Sequence, residues 1–132
     1  MAPAGSRDAR LRALLDEHWA ACDAGDQDRV HAIYADDVVV EWPQSRERVR
    51  GRANLQALRE HHPSALRFDV RRVLGGGDVW VTEYVIRYDG RPVHTVSVME
   101  FEGDRVVRET HHFADPFEPP AWRARWVEPL EG

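Results

Sequence analysis

Apolar residues in the first half of the chain recur every three to four positions, which predicts helices. This spacing runs from about Asp8 to Asp23 and predicts a first helix that Gly25 ends. A second, short helix follows, with Asp26 as its N-cap. Its predicted inner face carries Val30, Ile33 and Tyr34.

The next stretch predicts one strand between two helices. Residues 36–37 are both Asp and are expected to end the second helix. Val38–Trp42 is rich in β-branched residues and predicts a strand that Pro43 stops. Gly51 then introduces a third helix, which must end before Pro63 because the residue before a proline disfavours helical geometry.

From Leu66 onward the pattern changes to alternation of apolar and polar residues, as a half-buried strand requires. A glycine-rich turn at 75–78 separates this strand from three more. The four predicted strands span residues 66–71, 79–88, 93–102 and 105–113. Helices ahead of a run of antiparallel strands indicate an α+β fold. We expect one domain over residues 1–132, with its core in 8–113 and a tail in 114–132.

Asp89 and Gly90 form a dipeptide preferred in two-residue hairpin turns, and this turn fixes the register of the strands on either side. Counting outward from it gives three facing pairs on one side of the sheet: Tyr84 with Thr95, Thr82 with Ser97, and Trp80 with Met99. We expect this side to face the interior. The opposite side would suit a dimer interface, and it carries Val81, Glu83, Val85, Val96 and Val98.

Composition narrows the classes of function. The formal net charge of -5 argues against a nucleic-acid-binding surface. All 18 basic residues are Arg, so mechanisms that need a Schiff-base lysine are excluded. The single cysteine, Cys22, is expected to pack in the core. No run approaches the roughly 20 apolar residues of a membrane span, and residues 1–10 lack a signal-peptide pattern. We therefore expect a cytoplasmic protein without a nucleic-acid or membrane partner.

Three stretches of the sequence resemble a known family. They read GDQDRVHAIYADDVVVEWP, RVRGRANL and VMEFEGDRVVRE. On these residues the chain resembles the SnoaL-like branch of the nuclear transport factor 2-like superfamily, from about Leu11 to Phe113.

The resemblance implies a fold but not an activity. It implies a cone-shaped barrel, with three N-terminal helices packed on a curved antiparallel sheet and a pocket between the first helix and the concave sheet face. It also implies a homodimer. Relatives include polyketide cyclases, ketosteroid isomerases, epoxide hydrolases, dehydratases and proteins that only bind, so the fold does not select among them.

Comparison with the ketosteroid isomerases fails at the catalytic positions of that family. The resemblance places Trp42 where those enzymes have an aspartate base. It places His18 and Ser97 where they have a tyrosine and a protonated aspartate as hydrogen-bond donors. Their reaction needs that base and both donors in an apolar site. We therefore expect the scaffold but negligible isomerisation of a steroid enone.

His18 is the first candidate for acid and base chemistry. It lies on the apolar stripe of the first helix, where it is either a core histidine bonded to a carbonyl or a pocket residue. The predicted substrate-binding residues are Trp42, Trp80, Thr82, Tyr84, Ser97, Met99 and Phe113. The aromatic members of this set would stack on a planar ligand or form ordinary core.

The last strand offers two more candidates. Because side chains alternate across a strand, one of two sets points inward: Glu109, His111 and Phe113, or Arg108, Thr110 and His112. A strict two-residue turn at 103–104 favours the second set, whereas aligning Phe113 with a pocket tryptophan of ketosteroid isomerases favours the first. A bulge would reconcile the two. We choose Glu109 and His111, which could share acid and base work, although a surface charge pair would show the same pattern.

Neither adjacent-histidine pair, at 61–62 and at 111–112, has the spacing of a helical metal site, and no dinucleotide-binding motif is present. We therefore expect no metal and no cofactor. In the tail, a short helix starting near Pro120 would place Trp122 and Trp126 over the barrel mouth or on a second subunit, or would simply dock the tail.

Two functions remain open. The first is a cofactor-independent enzyme that moves protons on a hydrophobic small molecule or adds water to it, as an isomerase, cyclase, hydratase or hydrolase. The second is a module that binds a small molecule or dimerises without chemistry.

Overall fold

The computed structural model describes residues 4–130 as three α-helices, six β-strands and a C-terminal 3₁₀ helix. The helices span Ala4–Ala24 (α1), Gln27–His31 (α2) and Arg52–Glu60 (α3), and the 3₁₀ helix spans Ala121–Trp126. The strands span Tyr34–Trp42 (β1), Glu47–Arg50 (β2), Leu66–Gly76 (β3), Val79–Tyr88 (β4), Arg91–Glu102 (β5) and Arg105–Ala114 (β6). Within residues 4–130, no helix is long and apolar enough to cross a membrane.

The second helix is shorter than predicted, and the strand after it begins earlier. Because α2 ends at His31, the prediction that Ile33 and Tyr34 lie on this helix was wrong. Tyr34 is instead the first residue of β1, and the aspartates at 36–37 lie exposed within that strand rather than ending the helix. Strand pairing along the β-branched run of β1 outweighs the local helical spacing.

The short strand β2 was not predicted. A turn after Pro43 folds the chain back on itself, and β2 pairs antiparallel with β1 so that Trp42 lies opposite Glu47. Gly51 follows with a φ of 91°, a backbone conformation that favours glycine. The chain can therefore turn directly from β2 into α3, which ends before Pro63 as predicted.

The six strands form one open, mixed sheet in the order β2-β1-β6-β5-β4-β3. All neighbours are antiparallel except β1 and β6, which pair in parallel. The predicted α+β fold is confirmed. An antiparallel sheet was predicted, and the parallel pairing of β1 with β6 departs from that prediction. Helix α1 packs against β3 and α3 packs against β1, so the helices cover the concave face of the sheet.

The predicted hairpin register is confirmed. Asp89 and Gly90 both have positive φ, at 51° and 89°, as a two-residue hairpin turn of this type requires. The three predicted pairs face each other across β4 and β5. All six side chains are buried: Trp80, Thr82, Tyr84, Thr95, Ser97 and Met99.

A bulge decides which residues of β6 point inward. The pairing of β5 with β6 shifts its register at Phe101, and Val107 is the extra residue. As a result Glu109 and His111 are only 0% and 6% exposed, whereas Arg108 is exposed. The chosen orientation of the last strand is therefore confirmed, and the bulge is the feature that reconciles the two sequence arguments.

The tail forms its short helix directly after Pro120, near the predicted place. Trp122 and Trp126 are 75% and 68% exposed, so in a single chain neither packs over the sheet and helices as a cover. Docking of these tryptophans on a second subunit stays a prediction.

Candidate functional site

A cavity of about 400 Å³ lies between the helices and the concave face of the sheet. This volume is in the range of small-molecule sites. Six rings form much of its wall: Trp19, Trp42, Phe68, Tyr84, Tyr88 and Phe113. Polar side chains also line it: His18, Cys22, Gln27, Tyr34, Arg59, Glu60, His62, Ser64, Glu109 and His111.

Glu109 is the fully buried charged group of this cavity, with 0% exposure. Its Oε1 accepts a hydrogen bond of 2.5 Å from the Tyr34 hydroxyl and lies 3.7 Å from the Arg59 guanidinium. Its Oε2 lies 3.0 Å from Nε2 of His111. That contact is close but poorly aligned for a hydrogen bond, and Oε2 has no other partner among the described residues. One carboxylate oxygen is therefore held firmly, while the other has no aligned hydrogen-bond donor among the described residues.

The surroundings keep Glu109 ionised. Burial by itself raises the pKa of a carboxyl group. Here the His111 ring and the Arg59 guanidinium outweigh the burial and hold the pKa of Glu109 well below its usual value. The cavity therefore contains a negative oxygen atom at neutral pH.

Arg59 and Tyr34 form the support for this carboxylate. Arg59 Nη1 donates a hydrogen bond to the Tyr34 hydroxyl (3.2 Å), and its guanidinium lies over the Tyr34 ring. Arg59 Nη1 also lies 3.3 Å from Nε2 of His31. The other ring nitrogen of His31 is 2.7 Å from the Gln27 carbonyl, so it is the protonated one and Nε2 accepts from Arg59. Burial raises the pKa of Tyr34 well above its usual value, so its hydroxyl remains a donor to Glu109.

His18 combines the two roles that the sequence left open. Its Nδ1 lies 2.8 Å from the Val30 carbonyl, as in a bonded core histidine, yet its ring lines the cavity. Its Nε2 lies 3.7 Å from the sulfur of Cys22. Burial lowers the pKa of His18 to about 4, so the ring is neutral at physiological pH. Burial also raises the pKa of Cys22 to about 12, so its thiol stays protonated and a poor nucleophile.

The structure brings six of the predicted site residues to this cavity: His18, Trp42, Tyr84, Glu109, His111 and Phe113. Four others do not line it and pack in the core instead: Trp80, Thr82, Ser97 and Met99. Thr82 accepts a hydrogen bond from Trp19 (3.1 Å), and Ser97 bonds the Tyr84 hydroxyl (2.7 Å). Thr82 and Ser97 therefore each bond an aromatic residue of the cavity wall without lining the cavity themselves.

Tyr34 and Arg59 were missed in the sequence. Tyr34 was placed on the second helix, where nothing connected it to Glu109. Arg59 did carry a signal, because it follows Leu55 by four residues and so lies on the same inward face of α3. An arginine on a buried helical face needs an anionic partner, and Glu109 is that partner.

Among residues 4–130, no group of three or more His, Cys, Asp or Glu side chains is arranged to hold a metal ion.

The chain matches one known domain family. Residues 15–109, most of its length, match the model of the SnoaL-like domain. The chain belongs to the SnoaL-like family. No curated protein matches it.

Solved structures agree with this SnoaL-like assignment. An NTF-2 like protein of unknown function from Burkholderia xenovorans LB400 is 53% identical, with 95% of this chain and 98% of that chain covered and a TM-score of 0.87. A proposed ketosteroid isomerase from Kribbella flavida DSM 17836 is 25% identical, with 95% and 93% covered and a TM-score of 0.86. An LEH-like epoxide hydrolase from M. tuberculosis is 20% identical, with 80% and 84% covered and a TM-score of 0.67, which shows the shared fold.

Proposed function

We propose that this SnoaL-like chain is a cofactor-independent enzyme in which Glu109 acts as general base on a hydrophobic small molecule. The reaction either moves a proton within the substrate or activates a water molecule that adds to it. An isomerase, cyclase, hydratase or hydrolase would each use a general base of this kind.

One observation carries the proposal: the Oε2 atom of Glu109. It is a buried, ionised oxygen on the cavity lining without an aligned hydrogen bond from the described residues. A buried polar atom without a partner is costly, and such groups in native proteins call for a functional explanation. A substrate C–H or a water O–H placed against Oε2 would supply the missing proton donor.

The remaining lining supports a hydrophobic substrate with a flat part. The rings of Trp19, Phe68 and Tyr84 lie within 4.4 to 6.4 Å of one another, centroid to centroid, and form a continuous aromatic wall. Such a wall favours planar apolar groups. The substrate would then be held by stacking while its reactive atom faces Glu109.

A binding module without chemistry is the second candidate function. The observation that favours it is the low pKa of Glu109, because a carboxylate that holds protons weakly is a weak base. Measurement of turnover separates the two functions.

The test is a binding screen followed by a turnover assay. A panel of aryl epoxides, β,γ-unsaturated ketones and a steroid enone is screened by thermal shift. Each stabilising compound is then incubated with protein and analysed by chromatography with mass and ultraviolet absorbance detection, because isomerisation leaves the mass unchanged. We expect wild type to convert at least one non-steroid compound. Glu109→Gln, which keeps the shape and removes the charge, should bind that compound while kcat falls by a factor of about 100 or more.

The matched control is Glu102→Gln, which removes an exposed carboxylate from β5 and should leave kcat unchanged. If bound compounds are always recovered unchanged, or if Glu109→Gln turns over like wild type, the catalytic proposal fails. Conversion of the steroid enone alone would show that the comparison of Trp42 with the isomerase base is wrong.

We also propose that the chain is a homodimer through the outer face of its sheet. That face carries a patch of apolar side chains that are exposed or half-buried in the single chain: Leu74, Val79, Val81, Val85, Val96 and Val98. Contiguous apolar patches on a protein surface mark association sites. A closed two-fold contact would bury the same patch on both copies.

Light scattering should therefore give twice the chain mass of 15.2 kDa. Val98→Arg places a charge opposite Val81, near the middle of the patch, and should shift the species to the monomer without unfolding it. A wild-type monomer at micromolar concentration would contradict the dimer.

A further inference from the structure

The indole of Trp42 contacts the imidazole of His111 on the cavity wall. Trp42 Nε1 donates a hydrogen bond of 3.1 Å to Nδ1 of His111. An indole N–H is only a donor, so Nδ1 must act as the acceptor and carry no proton. A neutral histidine has one ring proton, which must then be on Nε2.

The protonated nitrogen of His111 is the one that faces the carboxylate. Nε2 lies 3.0 Å from Oε2 of Glu109, and both side chains are almost fully buried, at 7% and 0% exposure. The opposite tautomer would place an N–H against the N–H of Trp42 and a lone pair against the anionic Oε2. Both contacts would be repulsive.

We propose that Trp42 is a positioning residue that fixes His111 as the Nε2–H tautomer. This hydrogen bond determines which of the two neighbouring polar groups, His111 and Glu109, donates a proton and which accepts one. His111 becomes a hydrogen-bond donor, and Glu109 is the only one of the pair with a lone pair free to accept a proton. Where the proposed function holds, this arrangement makes Glu109 the base and excludes neutral His111 from that role.

The other two buried histidines support this interpretation. Each has one ring nitrogen against a backbone carbonyl, at 2.8 Å for His18 and 2.7 Å for His31, which fixes its proton on Nδ1. His111 has no such carbonyl contact among the described residues, and its partner at Nδ1 is a donor. Trp42 therefore reverses, for this one ring, the tautomer that the other two adopt.

The experiment is ¹⁵N spectroscopy of the histidine rings, which reports the protonated nitrogen directly and does not depend on turnover. His111 signals are assigned by their loss in His111→Gln. In wild type at neutral pH we expect a single Nε2–H tautomer for His111. In Trp42→Phe, which keeps an aromatic ring and removes the N–H, we expect the two nitrogen shifts of His111 to move toward each other, because Nδ1 loses its donor and can then carry a proton itself.

Trp19→Phe is the matched control, because it removes another indole N–H from the same cavity wall, one that bonds Thr82 rather than a histidine. It should leave the His111 shifts unchanged. A wild-type His111 protonated on Nδ1, or a Trp42→Phe spectrum identical to that of wild type, would overturn the proposal. A wild-type His111 protonated on Nδ1 overturns the proposal even if Trp42→Phe does not fold.

Turnover gives an independent readout once a substrate is known. Population of the other tautomer should lower kcat by about tenfold or more, because it replaces the N–H beside the Glu109 carboxylate, the proposed base, with a lone pair. If the tautomer changes and turnover never occurs in wild type, the positioning role stands and the enzymatic proposal fails.

Discussion

Arg59→Met should lower the free energy of unfolding by about 3 kcal/mol near neutral pH. Removal of one partner from a buried ion pair leaves the other charge uncompensated, which costs about 3–5 kcal/mol. The lower end of that range applies because the Arg59 side chain is 22% exposed, whereas Glu109 is fully buried. Urea denaturation monitored by tryptophan fluorescence measures the loss.

The difference in unfolding free energy between wild type and Arg59→Met should depend on pH. Wild-type Glu109 has a pKa held below its usual value, so its ionised form stabilises the fold above the pKa of the unfolded chain, about 4.3. That stabilisation is lost as pH falls toward the pKa of the folded state. Without Arg59 the folded pKa rises, so Arg59→Met has less of this stability to lose. The gap between variant and wild type should therefore narrow below about pH 4.

The control is Arg72→Met, which breaks an ion pair with Glu83 in which the arginine is 60% exposed. Such surface pairs contribute less than about 1 kcal/mol. Equal losses for the two arginine variants, or a gap for Arg59→Met that does not depend on pH, would show that Arg59 does not compensate the charge of Glu109.

Gly75→Ala should cost about 3 kcal/mol of unfolding free energy. A Cβ at this position would lie 2.5 Å from the Val79 carbonyl oxygen and 2.8 Å from the Trp80 Cα. Both are backbone atoms of the neighbouring strand, so the β3–β4 hairpin must open to admit the methyl group. Overpacking of this kind costs about 1–3 kcal/mol, and the φ of 154° adds strain for any residue with a side chain.

Gly77→Ala tests whether the stability loss in Gly75→Ala comes from steric overlap or from backbone strain. Gly77 lies two residues away in the same turn region with a φ of 60°, and a Cβ there would meet nothing within 4 Å. Its replacement should cost only about 1 kcal/mol, the strain of a left-handed residue. If chemical denaturation gives the same loss for both variants, the close approach at Gly75 is not what limits this position.

The sequence was most informative where short-range geometry decides the structure. The two residues Asp89 and Gly90 determine a turn type, and the turn type determines the register of β4 and β5. No distant contact is needed for this prediction. The inward face of β6 was harder, because it depends on a bulge at Val107 that no local rule requires. The comparison of Phe113 with a family position chose correctly between two orientations that alternation alone left equal.

The missed features of the site depend on contacts between distant parts of the chain. Tyr34 was assigned to a helix because its local spacing is helical, whereas in the structure it begins a strand that pairs in parallel with β6. That pairing cannot be read from neighbours in sequence. The spacing of Arg59 from Leu55 indicates an inward side chain but not its partner. The four residues wrongly assigned to the cavity share a face with Tyr84, and alternation cannot tell which members of a buried face border an empty space.

The parallel pairing of β1 with β6 also bears on how the protein folds. The hydrogen bond from Tyr34 to Glu109 joins residues 75 positions apart, so the chain must close a large loop before the carboxylate has its support. The β4–β5 hairpin closes through a two-residue turn and has no such entropic cost. Contacts of long sequence separation form slowly. Hairpins in the second half of the chain should therefore form early during folding. The hydrogen bond between Tyr34 and Glu109 should form only later, when β1 pairs with β6.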